Sequence, residues 1–80
     1  MPRVWELAAL IRQYDRCMDD GDALCPADIP AAVECYWRAV VIKELIYGEA
    51  ERFGVPLPCT RCWQDDLEAV RAFVAGGGWQ

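Results

Sequence analysis

Eighty residues suffice for one small domain with a thin core, and an apolar content of 55% is that of a globular rather than a disordered chain. Eight basic and thirteen acidic residues leave a net charge of −5; histidine, serine and asparagine are absent, and Thr60 is the single threonine. These absences exclude a Ser-His-Asp triad, a Cys-His pair, a histidine-bearing zinc site and a Walker-type phosphate loop, and one lysine with seven arginines is not the basic footprint of a nucleic-acid reader.

The spacing predicts a first helix over about residues 2–19. Pro2 suits a first turn, and Val4, Leu7, Ala8, Leu10, Ile11, Tyr14, Cys17 and Met18 share one face, with Glu6, Arg12, Gln13 and Arg16 opposite. Trp5 falls outside the stripe. Gly21 is read as the stop, and residues 20–28 as an acidic loop. The opening stretch Met1-Pro2-Arg3-Val4-Trp5-Glu6 has an early acid and no apolar run of signal-peptide length, so a cytoplasmic protein is expected.

A second helix is predicted over 29–53, with Asp28 as N-cap, Pro30 in the first turn and Gly54 as the residue that ends it. Val33, Tyr36, Val40 and Tyr47, with Ile42, Ile46 and Phe53, form its broad apolar face; Trp37, Val41 and Leu45 lie outside that face. A helix apolar nearly all round is either central or covered by a second chain. The run Ala39-Val40-Val41-Ile42 is too short to cross a bilayer, and without alternation it is not a strand. Val55-Pro56-Leu57-Pro58 is an extended connector. The third helix is expected over 60–75, capped by Thr60, with Trp63, Leu67, Val70 and Val74 as its stripe and Asp65 and Asp66 in its first turns, where the helix dipole favours acids. Gly76-Gly77-Gly78 ends it and leaves a tail, 76–80, that contains Trp79. The expected architecture is an all-α, small three-helix bundle forming a single domain over 1–80.

Five cysteines, an odd number in a reducing context, do not make a disulfide framework. Cys59-Thr60-Arg61-Cys62 at a helix start has the local context of a redox pair, but no strands surround it. A zinc reading lacks a second knuckle: Cys17, Cys25 and Cys35 are spaced eight and ten residues apart, and Cys17 and Cys35 read as small buried hydrophobes. No metal, no cofactor and no catalytic residue is therefore expected. Five acids against Arg16 put −4 of the total charge into the fourteen residues from Asp15 to Asp28. With Gly21 as the sixth position of an EF-hand loop, Arg16, Met18 and Ala27 occupy ligand positions, so calcium is not expected. The remaining readings are a solvated turn or an acidic lobe presented to a basic partner. Asp15, Asp19, Asp20 and Asp22, together with Asp65, Asp66 and Glu68, are the candidate contacts; Glu49 and Glu51 form a further acidic patch. Carboxylates spaced on a rigid scaffold can imitate duplex phosphates and compete for an arginine- and lysine-lined channel. Trp5 and Trp37 are the candidate anchors, because interfaces are enriched in tryptophan.

A very short, acidic, Lys-poor and Arg-rich chain without catalytic residues, from Val4-Trp5-Glu6-Leu7 to Gly76-Gly77-Gly78, resembles the anti-CRISPR inhibitors encoded by phages and mobile elements, above all those acting on type I surveillance complexes. The resemblance covers size and character over the whole chain, with no shared motif, and transfers no residue role. It implies a stoichiometric, non-enzymatic inhibitor in the host bacterial cytoplasm. Such an inhibitor binds complex subunits or the effector nuclease and commonly blocks target-DNA loading; with the acidic patches, the expected partner is a protein with a basic nucleic-acid-binding surface, and no direct binding to nucleic acid or membrane is expected. Two other classes remain: a metal- or thiol-dependent regulator using Cys59 and Cys62, and a phage assembly factor that oligomerises through the second helix. A homodimer through that helix is also compatible with inhibition.

Overall fold

The computed structural model describes residues 4–58 and 61–76. They form a small all-α three-helix bundle: α1 (Val4–Leu24), α2 (Ile29–Phe53) and α3 (Trp63–Ala75), with no strand among the described residues. Helices α1 and α2 run antiparallel as a hairpin. Helix α3 docks on one side of it, packing more against α1 than against α2. Leu7, Ile11 and Tyr14 of α1, Ala39, Ile46 and Ala50 of α2, Val55 of the connector, and Leu67 and Val70 of α3 make one core cluster.

Local chemistry accounts for the ends of α2. The Asp28 carboxylate accepts the Ala31 N–H at 3.2 Å, so one of the orphan N–H groups of the first turn is satisfied. At the other end Gly54 adopts φ 70, and its N–H reaches the carbonyls of Ala50 and Glu51.

Helix α1 does not stop at Gly21. It continues to Leu24, and the connection shrinks to residues 25–28, with a cis Cys25–Pro26 bond. Gly21 is buried inside the helix, where a Cβ would lie 2.5 Å from Cε1 of Tyr36. Its role is close approach of two helices, and the acids read as a loop instead ride on the last turns of α1. Gly21→Ala gains about 1 kcal/mol of helix propensity, but it drives the Tyr36 ring off its seat, a strain of about 1–3 kcal/mol. The expected net result is destabilisation by up to about 2 kcal/mol. Gly48→Ala meets nothing within 4 Å, so it should stabilise by about 1 kcal/mol. Urea unfolding of both variants checks the opposite signs.

Two further expectations are corrected. The α2 face that turns inward carries Ala32, Ala39, Ile46 and Ala50, while Val33 and Val40, assigned to the broad apolar face, are exposed. Small alanines let α1 and α2 approach closely, which is worth more than burying two valines at the edge. Helix α3 starts at Trp63 rather than at 60. Its cap residue is Cys62, in extended backbone with no side-chain cap bond, and the Cys62 carbonyl accepts the Asp66 N–H at 3.1 Å. Arg61 before it has φ 60, the left-handed region that bends the chain into the helix. The start at Pro2, the Thr60 cap, Cys59 and the tail beyond Gly76 lie outside the described residues. No described helix is long and apolar enough to cross a membrane.

Candidate functional site

The acids expected to act together are dispersed by the fold. Asp15 is held by Arg71 of α3 in a two-pronged ion pair, at 2.9 and 2.5 Å, and so ties α1 to α3. Asp66 is a correction: it is 7% exposed, accepts the Tyr47 hydroxyl through Oδ2, and has a buried Oδ1 without a partner. It is a core carboxylate, unavailable to another protein. Asp65 and Glu68 are exposed on the outer face of α3, and Asp19 and Asp20 on α1.

One group of predicted residues does converge. Asp22, exposed on α1, accepts the Tyr36 hydroxyl at 2.5 Å across the hairpin. Tyr36 lines a shallow apolar depression with Val33, Trp37 and Val40. Trp37 is 64% exposed, so it projects instead of closing the bundle's end. Asp19 lies one turn before Asp22 on the same face of α1. The result is an apolar patch on α2 bordered by two carboxylates of α1. Sequence reasoning found Asp19, Asp22 and Trp37 but missed Val33, Tyr36 and Val40 as surface residues. The signal was their i, i+3, i+7 spacing beside an off-stripe tryptophan. Trp5, 67% exposed, sits at the other end of the hairpin, in a groove with Leu45 and Glu49.

The Asp22 contact, through its hydrogen bond above all, pushes the Tyr36 hydroxyl up from its ordinary value of 10.0 to about 12, and the Asp66 hydrogen bond does the same for Tyr47. Both groups have folded values above unfolded ones. Their stabilisation is therefore complete below pH 10 and is lost as the pH rises through about 12, because only the unfolded chain releases the protons in that window. A tyrosinate absorbance titration should show both ionisations delayed. Tyr36→Phe and Tyr47→Phe should each remove one late step and flatten the alkaline fall in stability.

Cys17, Cys25, Cys35 and Cys62 are thiols, and among the described residues no group of three or more His, Cys, Asp or Glu could hold a metal ion. What the patch offers is shape, apolar surface and fixed negative charge, which are the means of a binding module. No protein-family model, no curated protein and no solved structure matches this chain.

Proposed function

We propose that the protein is a non-catalytic binding module that seats the Trp37 patch, with Asp19 and Asp22 beside it, on a basic surface of another protein. The observation that supports this reading is the juxtaposition of an exposed tryptophan, two exposed valines and a carboxylate-tethered tyrosine. Desolvated aromatic anchors supply affinity, and rim carboxylates supply orientation and on-rate. Asp20, Asp65 and Glu68 add to the long-range attraction from their own faces, and Trp5 belongs to a separate surface.

The partner class comes from the resemblance in size, acidity and missing catalytic residues. On that reading the module is a stoichiometric inhibitor in a bacterial cytoplasm. It occupies the DNA-loading surface of a type I CRISPR surveillance complex, where its carboxylates stand in for phosphates. Binding to the purified complex, measured at low and high salt, tests both parts. Trp37→Ala should weaken binding about 100-fold at either salt. Asp19→Lys with Asp20→Lys should weaken it about tenfold at low salt and far less at high salt. Affinity untouched by either change removes the patch, and no co-elution of the wild-type chain with any type I complex removes the partner class.

A further inference from the structure

We propose that the groove between α1 and α2 on the side away from α3 is the interface of a two-fold homodimer, in which two hairpins stack face to face. The partners of α3 show which side it covers: Tyr14 and Asp15 on α1, Lys43 and Tyr47 on α2. Gln13 lies about 200° round α1 from Asp15, and Glu49 about 200° round α2 from Tyr47, so both face the uncovered side. The groove there is continuous. Arg16, Cys17, Arg38 and Val41 line one end, Trp5, Ala9, Leu45 and Glu49 line the other, and Gln13 belongs to both.

Three observations favour a second copy as the occupant. The first is charge. The arginines Arg16 and Arg38 stand at one end and Glu49 at the other, about 16 Å apart along α2 at 1.5 Å per residue; Arg38 already pairs with Glu34 at 3.1 Å and Glu49 with Arg52 at 2.8 Å within α2, so a contact between copies extends these surface pairs into networks. A two-fold axis through the middle of the groove, beside Gln13 and Ile42, lays the arginine end of each copy on the glutamate end of its partner. The surface is thereby complementary to itself, as an isologous contact requires.

The second is area. Trp5, Val41 and Leu45 are all more than half exposed. With half-buried Leu10, Cys17 and Ile42 and the aliphatic stems of Arg16 and Arg38, they present a continuous apolar strip along most of the hairpin, the kind of surface that makes up the larger part of the roughly 800 Å² per partner of a standard stable interface. The third is thickness. The molecule measures only 17 Å along its shortest axis, and its core is one layer deep. Stacking a second hairpin turns that layer into the interior of a four-helix arrangement. Val33, Tyr36 and Val40 project on the other flank of α2 and stay open on both copies, while Trp37, one turn before Val41 and about 40° round the helix from it, stands at the edge of the interface. This inference is independent of the proposed target.

The test is sedimentation equilibrium of the full chain in reductant across the micromolar range. The expected mass is twice 9.0 kDa. Val41→Glu with Leu45→Glu places charge in the apolar middle and should raise the dimer dissociation constant at least 100-fold. Both residues are exposed in the single chain, so the helical circular dichroism should be unchanged. Arg38→Glu should weaken the dimer about tenfold, and adding Glu49→Arg should restore it, which neither a foreign helix in the groove nor a general loss of solubility predicts. A wild-type chain that stays at 9.0 kDa throughout, or a dimer indifferent to Val41→Glu with Leu45→Glu, overturns the proposal.

Discussion

Ile46→Ala should unfold most of the stability of this protein. Ile46 is fully buried at the centre of the cluster that joins all three helices, and with Leu7 and Val70 it is among the largest side chains with almost no exposure. Truncation removes three methyl or methylene groups and leaves a cavity between helices that cannot collapse, at a cost of about 2–5 kcal/mol. A domain of this length has a total stability of about 4–12 kcal/mol. The loss corresponds to a fall in melting temperature of roughly 10–30 °C. Ile46→Val, which removes one methyl, should cost only about 1 kcal/mol. Val41→Ala, on the exposed face of the same helix, should change stability by less than about 0.5 kcal/mol. Urea unfolding followed by helical circular dichroism ranks the three. An Ile46→Ala variant as stable as Val41→Ala would mean that the hairpin is not held by this cluster.

Trp63→Ala should release α3 from the hairpin, by a different route. The indole Nε1–H donates to the Tyr14 hydroxyl at 2.8 Å. The ring meets Tyr14 edge-on at 5.3 Å and Tyr47 at 5.2 Å, and the Lys43 ammonium lies 5.7 Å from its centroid. One hydrogen bond is worth about 1 kcal/mol, each aromatic pair about 0.5–1.5 kcal/mol, and the half-buried indole adds its own transfer term. The sum is about 3 kcal/mol, at the lower end of the range for tryptophan truncation. What then remains of the docking is Leu67 and Val70, the half-buried Phe73 and Val74, the Tyr47–Asp66 bond and the half-exposed Asp15–Arg71 pair, the last worth at most about 1 kcal/mol. A 13-residue helix does not hold itself in water. Amide exchange should therefore accelerate in α3 by about 100-fold while the centre of α2 keeps its protection. Trp63→Phe keeps ring contacts, loses the hydrogen bond, and should show about a third of the effect. Equal acceleration in α2 and α3 would show that the bundle opens as one unit and that Trp63 is no separate latch.

These two residues were legible from the sequence for the same reason. Ile46 and Trp63 belong to apolar stripes at helical spacing, and a large side chain on such a stripe has one low-energy place to go. The caps Asp28 and Gly54 were legible because capping is chemistry between residues three or four apart. Trp37, Val41 and Leu45 were placed outside the broad apolar face of the second helix, and the structure leaves them exposed. The exclusion of triads and histidine-bearing metal sites needed only composition.

Tertiary packing decided the rest. A glycine near a helix end obeys the same local rule whether it terminates the helix or lets another helix in. At Gly21 the deciding contact is Tyr36, fifteen residues away in the chain and 2.5 Å from where a Cβ would stand. An aspartate in the first turn of α3 satisfies the helix dipole whether it is exposed or buried, and the Tyr47 hydroxyl that makes Asp66 a core residue comes from another helix. Asp15 left the set of open acids through Arg71 in the same way, while Asp22 takes the Tyr36 hydroxyl and stays exposed. Helix α2 is apolar on both flanks, so periodicity could not choose between them. The close packing permitted by Ala32, Ala39 and Ala50 did, and it left Val33 and Val40 beside Trp37 as surface. Rules that act within one turn of chain were determined by the sequence alone; every choice that depended on which partner arrived from a distant segment was made by the three-dimensional fold.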